Sequence, residues 1–283
     1  MKKQLIVFDL DSTILPHVEE LPARTADVLR AAVAAGHFLV IATARPWAMT
    51  RFVYRALGLT TPACLLNGAQ IVQPGADDHE PPVLLADRAV CAADAAELLS
   101  HALKLPGIYD VIRAYGEELY TLLPPRSIFM RTYAKYTGRQ VLLPDVEMTP
   151  APASRLMLYT LSEACWGDLE RLLDPFRTRY VVRNIFRCRA DGTPVWRADV
   201  YSRAAGKWNA VRTIAQRLGV AESDIWCFGD EWNDEEMLLS AAHGYAMQGS
   251  VAAEALAGRC AVTPLTCAEC GVADVVEREI LHS

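Results

Sequence analysis

The feature that most constrains the fold of this chain is an alternation of short apolar strands and helices, which occurs at both ends of the sequence. Near the N-terminus, continuous apolar runs of the kind buried on both faces of a sheet occupy residues 4–8, 38–43 and 63–66. Helical segments lie between them, beginning near prolines 22 and 46 and ending at glycines 36 and 58. Strands that alternate with helices predict a parallel sheet with right-handed crossovers.

The middle of the chain lacks this alternation. A stretch rich in proline, glycine and aspartate at 74–82 predicts a boundary, and residues 83–198 combine helical segments with alternating strand-like runs. Strands alternating with helices return from about residue 206 to the C-terminus. We therefore predict an α/β fold in which 1–82 and 199–283 form one Rossmann-like parallel-sheet core, and 83–198 form an inserted α+β cap.

Composition excludes several classes of protein. The net charge of −6 and the absence of a basic stripe argue against a nucleic-acid-binding surface. No apolar stretch reaches the ~18 residues of a membrane span, and Asp9 and Asp11 interrupt the N-terminal apolar run before it could act as a signal peptide. We therefore expect a cytoplasmic protein. We also expect reduced thiols, because most cysteines lie in apolar contexts and Cys267 and Cys270 form a CxxC pair without a second ligand pair. The oligomeric state has no signal in the sequence.

The first candidate site follows the first predicted strand. Asp9 and Asp11 lie one residue apart directly after an apolar run, where paired carboxylates are costly unless their charge is used. Ligands of open parallel sheets bind beyond the carboxyl ends of the strands, and Mg²⁺ prefers carboxylate and phosphate oxygens. A solvated loop or a helix cap is the alternative interpretation of this pair alone.

A second acidic cluster follows the strand predicted near residues 224–228. Asp230 lies at the end of that strand, and Asn233 and Asp234 begin the next helix, where they are also favoured caps. Asp9 and Asp230 would meet at the same edge of the sheet and could bind one metal ion between them. The two clusters together favour a metal site over two unrelated caps.

Two further residues lie at positions suited to an anion. Thr43 follows the second strand, where its hydroxyl could hold an oxyanion, although a threonine there is more often a helix cap. Lys207 begins the helix that re-enters the core, and beside a phosphate it would act as a compact positive charge.

Taken in order, these segments resemble the motifs of the haloacid dehalogenase superfamily of phosphatases. DxDxT from Asp9 to Thr13 resembles the first motif, Thr43 the second, Lys207 the third, and GDxxND from Gly229 to Asp234 the fourth. The position of the insert resembles the Cof-type branch, which has a large α/β cap. The chain departs from the family pattern at Ser12 and Ala44, where glycine is usual, and at 247–250, where Met-Gln-Gly-Ser replaces Met-Gly-Asn-Ala.

The resemblance implies a reaction. Asp9 would be the nucleophile that forms an aspartyl-phosphate, and Asp11 the general acid and then the base. Mg²⁺ would be bound by the Asp9 and Asp230 carboxylates and the backbone carbonyl of Asp11. Thr43 and Lys207 would bind the phosphoryl group.

The same resemblance gives the remaining residues lesser roles and identifies a class of substrate. Asn233 would contact the substrate side of the site, Asp234 would orient the other groups, and Arg45 would be an ion-pair partner rather than a phosphate ligand. The substrate would be a small phosphorylated metabolite such as a sugar phosphate.

Two alternatives remain open at this stage. A phosphomutase or another phosphotransferase would share the aspartyl-phosphate, so the motifs do not separate it from a phosphatase. A non-catalytic ligand-binding protein is the second alternative, and the presence of Asp9, Asp11, Lys207 and Asp230 together argues against it. Arginines of the insert at 113, 126, 183 and 187 are candidates for contact with an anionic substrate, although a solvated surface position is the more usual interpretation of any one of them.

Overall fold

The computed structural model describes residues 2–76, 80–116, 118–121, 150–189 and 191–282. The chain divides into two compact units, one made of residues 1–86 and 206–283 and the other of residues 87–205. The sequence placed the boundaries a few residues earlier, at 82/83 and 198/199. The second of these falls inside a strand that continues to Ser202, because that strand alternates polar and apolar residues past the predicted end. Arg126 lies outside the described residues.

The first unit contains two sheets and six α-helices among its described residues. Its strands are β1 (Leu5–Phe8), β2 (Phe38–Ile41), β3 (Ala63–Leu65), β4 (Gln70–Gln73), β5 (Val83–Asp87, whose last residue belongs to the second unit), β11 (Ile225–Gly229), β12 (His243–Ala246) and β13 (Ala261–Val262). Its helices are α1 (Ala23–Ala34), α2 (Arg51–Leu57), α5 (Lys207–Leu218), α6 (Glu235–Ser240), α7 (Val251–Ala255) and α8 (Gly271–Val276).

The main sheet confirms the predicted α/β class. Five parallel strands lie in the order β13-β12-β11-β1-β2, so strands from the two ends of the chain are neighbours. Strand β1 is wholly buried and apolar, as a central strand of a parallel sheet must be. Phe8 is level with Phe228 of β11 and with Ile41 of β2. The residues that follow these three strands therefore meet at one edge of the sheet.

Strand β3 differs from the prediction. It was expected as a third strand of the parallel sheet, but it pairs antiparallel with β4 in a separate three-stranded sheet, β3-β4-β5. Among the described residues, an isolated parallel bridge between Ala42 and Cys64 links it to the end of β2. The cause is the turn at 66–68, where Leu66, Asn67 and Gly68 all have positive φ and reverse the chain.

Helix α5 returns the chain to the first unit. It begins after Gly206, whose φ is 139°, and ends at Gly219 in the left-handed conformation. Trp208, Val211 and Ile214 lie on its buried face and pack in the core beneath the main sheet. This packing fixes the first turn of the helix, and with it Lys207.

The second unit is an antiparallel sheet with helices packed on it, as predicted for the insert. Its strands, β6 (Ile108–Tyr115), β7 (Glu118–Thr121), β8 (Arg155–Thr160), β9 (Tyr180–Cys188) and β10 (Pro194–Ser202), lie in the order β7-β6-β8-β10-β9. Its described helices are α3 (Ala92–Ala102) and α4 (Glu163–Leu173), which pack on one face of the sheet through a separate hydrophobic core. Among the described residues of the whole chain, no helix has the length and apolarity that crossing a membrane requires.

Candidate active site

Asp9 lies at the carboxyl end of β1 and is buried. Its backbone N–H continues the sheet by donating to the carbonyl of Phe228 at 3.1 Å. Its carboxylate accepts the backbone N–H of Leu10 on Oδ1 at 2.7 Å, and Oδ2 lies 2.9 Å from Nζ of Lys207. The end of the strand thus places a charged, oriented carboxylate in a nearly dry setting.

Lys207 joins Asp9 to Asp234. Its Nζ donates to Oδ1 of Asp234 at 2.7 Å while remaining in contact with Asp9, and only 2% of the residue is exposed. Burial opposes the charge of the lysine, but attraction by Asp234 and Asp9 outweighs burial and raises the pKa of Lys207 above its ordinary value. The lysine therefore stays protonated and offsets part of the negative charge around it.

Asp234 is held by the backbone of the loop that precedes it. Its Oδ2 accepts the N–H groups of Asp230 and Glu231 at 3.0 and 3.1 Å. A Cβ on Gly229 would lie 2.4 Å from Cγ of Asp234, so the approach of this side chain requires glycine at the end of β11. Both carboxylate oxygens of Asp234 are thus engaged within the protein.

The carboxylate of Asp230 has fewer described hydrogen-bond and ion-pair partners than that of Asp234. Its Oδ1 accepts the hydroxyl of Thr13 at 2.7 Å, and the residue is 8% exposed. Burial, followed by repulsion from Asp9 and Asp234, raises its pKa to about 8. Burial also raises the pKa of Asp9 to about 6, although Lys207 opposes the shift. Three buried carboxylates against one ammonium leave a surplus of negative charge.

These three carboxylates form a candidate metal centre. Asp9, Asp230 and Asp234 each offer an oxygen, and the three oxygens lie within 4.8 Å of one another, the one such group among the described residues. Hard oxygen donors and uncompensated charge suit a divalent cation of the Mg²⁺ type. The predicted pair of Asp9 and Asp230 is brought together as expected. Asp234 joins them, whereas the carboxylate of Asp11 is not part of the group.

Asp11 is instead paired with Arg45. Nε of Arg45 donates to Oδ2 of Asp11 at 2.9 Å and Nη2 donates to Oδ1. Arg45 is buried and also donates to the carbonyls of Val18 and Met49 at 2.9 and 3.1 Å, whereas 55% of the Asp11 side chain is exposed. Arg45 is thus an ion-pair partner, as expected. Ser12 lies in the left-handed region, with φ of 56°, a conformation that favours glycine.

Thr43 and Asn233 make local contacts at the same edge. The fully buried Thr43 accepts the backbone N–H of Arg45 on its hydroxyl at 3.2 Å and donates its own N–H to the carbonyl of Cys64 at 2.9 Å. Asn233 donates from Nδ2 to Oδ1 of Asn67 at 2.9 Å. These bonds order the loops after β2, β3 and β11, and binding of a phosphate by Thr43 stays a prediction.

Two contributors were given no role from the sequence. Thr13 donates a hydrogen bond to Asp230. The only feature of the sequence that pointed to Thr13 was its position at the end of the first acidic motif. Asn67 lies in the turn after β3 with φ of 57°, and its contact with Asn233 spans 166 residues. Only the Asn-Gly dipeptide marked this position in the sequence, as a turn rather than as part of a site.

Comparison with known proteins identifies the family of this chain. Residues 6–276 match the model of the family described as haloacid dehalogenase-like hydrolase. The 5-amino-6-(5-phospho-D-ribitylamino)uracil phosphatase YitU of Bacillus subtilis is 26% identical over 266 residues, covering 93% of both chains. The HMP-PP phosphatase of Serratia proteamaculans is 25% identical over 248 residues, 86% of this chain and 83% of that one. In fold, a haloacid dehalogenase-like hydrolase from Bacteroides thetaiotaomicron is similar, with a TM-score of 0.76, 18% identity and coverage of 98% and 99%.

Proposed function

The chain belongs to the haloacid dehalogenase-like hydrolases, enzymes of phosphate-ester chemistry, and we propose that it is a Mg²⁺-dependent phosphatase of a small phosphorylated metabolite. The observation that carries the proposal is the buried bridge of Lys207 between Asp9 and Asp234, beside Asp230. Phosphoryl transfer depends mainly on positioning and charge neutralisation, which such a cluster supplies. The relatives named as phosphatases of small phosphorylated compounds support the same substrate class.

Asp9 and Asp230 are the residues we propose for holding Mg²⁺, with the backbone carbonyl of Asp11 as a further oxygen. Burial, together with repulsion from Asp9 and Asp234, raises the pKa of Asp230, and a cation at this position would favour its charged form. When bound, the metal supplies positive charge to the phosphoryl oxygens and to the carboxylates around them. Asp234, with both oxygens already engaged, orients Lys207 and the loop of Asp230.

The covalent step belongs to Asp9. A carboxylate oxygen of Asp9 attacks phosphorus, the bond from phosphorus to the ester oxygen breaks, and the electron pair leaves with the alkoxide. Lys207 neutralises charge on the attacking carboxylate and on the incoming phosphate, with Thr43 as a proposed partner of a phosphoryl oxygen. Water then attacks the aspartyl-phosphate, which releases inorganic phosphate and restores Asp9.

Asp11 is the proposed proton carrier for both steps. It would give a proton to the leaving alkoxide and later take one from the attacking water. Its exposed carboxylate is paired with Arg45, so this role requires the side chain to turn from the guanidinium towards the substrate. Asn233, tied to Asn67, would border the substrate. We propose the first unit as the catalytic core and the second as the cap that selects the substrate.

The test measures release of inorganic phosphate from p-nitrophenyl phosphate and from a panel of sugar and polyol phosphates, with Mg²⁺ and with EDTA. We expect turnover only with Mg²⁺. Replacing Asp9 by Asn should lower kcat by at least about a thousandfold, because the nucleophile is removed. Acid-quenched wild-type protein should carry one phosphoryl group on the peptide containing Asp9, detected by mass spectrometry.

Asp27→Asn is the matched control, since this aspartate lies on α1 with 74% of its side chain exposed and should retain full turnover. Wild-type turnover by Asp9→Asn would exclude Asp9 as the nucleophile. Transfer of the phosphoryl group to a sugar acceptor, without release of phosphate, would identify a phosphotransferase instead.

A further inference from the structure

The second unit has a sheet face that its own hydrophobic core does not use. Side chains alternate between the two faces of a strand, and on β8 and β10 the residues Leu156, Leu158, Ala198 and Val200 face the helices and join that core. The alternate residues lie on the other face. We call this the arginine face, and the residues that define it are Arg155, Met157, Tyr159, Arg183, Arg197, Asp199 and Tyr201.

An ion-pair cluster lies at the centre of the arginine face. Asp199 is 2% exposed and interacts with two guanidinium groups. Nη2 of Arg197 donates to Oδ2 of Asp199 at 3.1 Å and its Nε lies 3.0 Å from Oδ1, while Nη2 of Arg155 also donates to Oδ2. Arg183 is directly opposite Asp199 in the register of β9 and β10. One carboxylate is therefore shared between arginines on the adjacent strands β8 and β10, and Arg183 lies opposite it on β9.

Positive charge and N–H donors are in excess on this face. The three arginines that define this face, 155, 183 and 197, and Arg187, which follows the same alternation on β9, stand against two described carboxylates, Asp199 and Asp110 of β6. Asp110 is engaged elsewhere, because its Oδ1 accepts Thr121 Oγ1 and the Val111 N–H, each at 3.0 Å. Among the described residues, the buried Nε of Arg155 has no hydrogen-bond acceptor. Its side chain is 84% buried, since 16% is exposed, so water compensates this charge poorly.

We propose that the arginine face binds an anionic group of a ligand, a carboxylate or a phosphate, through Arg155 and Arg197. Guanidinium groups bind planar or tetrahedral oxyanions by paired hydrogen bonds, and such contacts strengthen where water is scarce. Tyr159, 7% exposed and opposite Arg197 in register, offers a hydroxyl next to the same position. The anion has two possible sources, a second charged group on the substrate of the proposed phosphatase or a separate small acid.

Matched pairs of phosphate esters distinguish these sources, in an experiment that rests on the proposed function. 3-Phosphoglycerate and glycerol 3-phosphate differ by one carboxylate, as do 6-phosphogluconate and glucose 6-phosphate. If the anion belongs to the substrate, kcat/KM of the full-length protein with Mg²⁺ should favour the acidic member of at least one pair by about tenfold. Arg155→Met should remove this preference, chiefly by raising KM for the acidic ester.

The variants are chosen so that folding does not decide the result. Removing Arg155 leaves Asp199 paired with Arg197, so no buried carboxylate loses its last partner. Arg155→Lys keeps the charge but loses the paired donors, and should restore only part of the preference. Arg171→Met, on α4 of the same unit with 74% of its side chain exposed, is the control and should keep the full preference.

A second measurement is independent of catalysis. In nitrogen-15-labelled protein, titration with succinate should shift the side-chain Nε–H resonances of Arg155 and Arg197, assigned through the Arg155→Met spectrum. A shift without any kinetic preference identifies a separate acid as the ligand. Absence of both the shift and the preference overturns the proposal, as does a preference that Arg155→Met retains. Failure to hydrolyse any ester, p-nitrophenyl phosphate included, counts against the proposed function, and the succinate titration then decides the arginine face alone.

Discussion

Residues of the candidate site have properties that their neighbours impose on them. Asp230 follows β11 and Asp11 follows β1, at the same edge of the main sheet. Asp230 is buried among carboxylates, whereas Asp11 is exposed and paired with Arg45. The sequence predicted which kinds of side chain form the candidate site and that they lie at one edge of the sheet, because strand ends and motif spacing are local properties. It did not predict that Thr13 binds Asp230 or that Asn67 binds Asn233, because those contacts span distant segments.

The buried carboxylates predict a pH-dependent stability for the metal-free protein. Asp230 has a folded-state pKa raised to about 8 and Asp9 to about 6, each from an unfolded value near 3.8. Native protein then binds more protons than unfolded protein between these values, so the stability that these two groups contribute is full below about pH 4 and is lost as pH rises through about 8. Urea unfolding in EDTA, from about pH 5 to about pH 8.5, should show a falling free energy of unfolding.

Asp230→Asn should flatten this pH dependence, and saturating Mg²⁺ should do the same in the wild-type protein because the cation favours the charged carboxylates. The exposed Asp27→Asn variant should keep the wild-type slope. An Asp230→Asn protein with an unchanged slope would mean that other groups titrate in this range.

At the scale of elements, turns determine where the helices and strands of the site begin. Glycine and proline positions predicted most helix ends, because their backbone preferences act locally. The partner of β3 was not predicted correctly, since a short apolar run suits a parallel or an antiparallel neighbour equally. The turn at Gly68 decided it, and this turn also touches the start of α5: Gly206 donates its N–H to the carbonyl of Asn67 at 2.9 Å.

Gly68→Ala should displace the start of α5. A Cβ at position 68 would lie 2.2 Å from the carbonyl oxygen of Gly206, and φ at Gly68 is +83°. Because backbone must move next to Lys207, we expect a loss of about 3 kcal/mol or more in the free energy of unfolding and a lower kcat. Urea unfolding and hydrolysis of p-nitrophenyl phosphate measure the two effects.

Gly36→Ala is the control for backbone strain alone. Gly36 has a similar φ of +89°, but a Cβ there meets no atom within 4 Å. This variant should lose only about 1 kcal/mol and keep wild-type kcat. Equal losses in the two variants would show that strain, rather than the contact with Gly206, determines the effect at Gly68.

On the scale of the whole molecule, the chain builds two units with separate hydrophobic cores. The discontinuous arrangement was predicted because strands alternate with helices at both ends and not in the middle. The predicted unit boundaries differ from the observed ones by a few residues. Strand β10 alternates polar and apolar residues, and this pattern is compatible with a strand of either unit. The sequence did not predict a role for the arginine face. A single arginine in a sequence is interpreted as a solvated residue, and only the pairing of β8, β9 and β10 shows that three arginines lie on the same face.

Because the two units have separate hydrophobic cores, we expect them to unfold in separate thermal transitions. Leu169 of α4 is fully buried in the second unit, and Leu169→Ala should cost that unit about 2–5 kcal/mol. Calorimetry should show two transitions, of which Leu169→Ala lowers one and Mg²⁺ raises the other, since the carboxylates lie in the first unit. A single transition that responds to both changes as a whole would contradict this independence.

The central position of β1 has a consequence for how the protein is made. Strand β1 is translated well before its neighbour β11 and before Asp230, the partner of Thr13, which lies 217 residues later along the chain. A growing chain on the ribosome therefore exposes one apolar edge of β1 until β11 has been synthesised, and we expect chaperones to protect this edge. We expect the same order to delay catalysis, because a nascent chain that contains Asp9 cannot complete the proposed site before Lys207 and Asp230 have been synthesised.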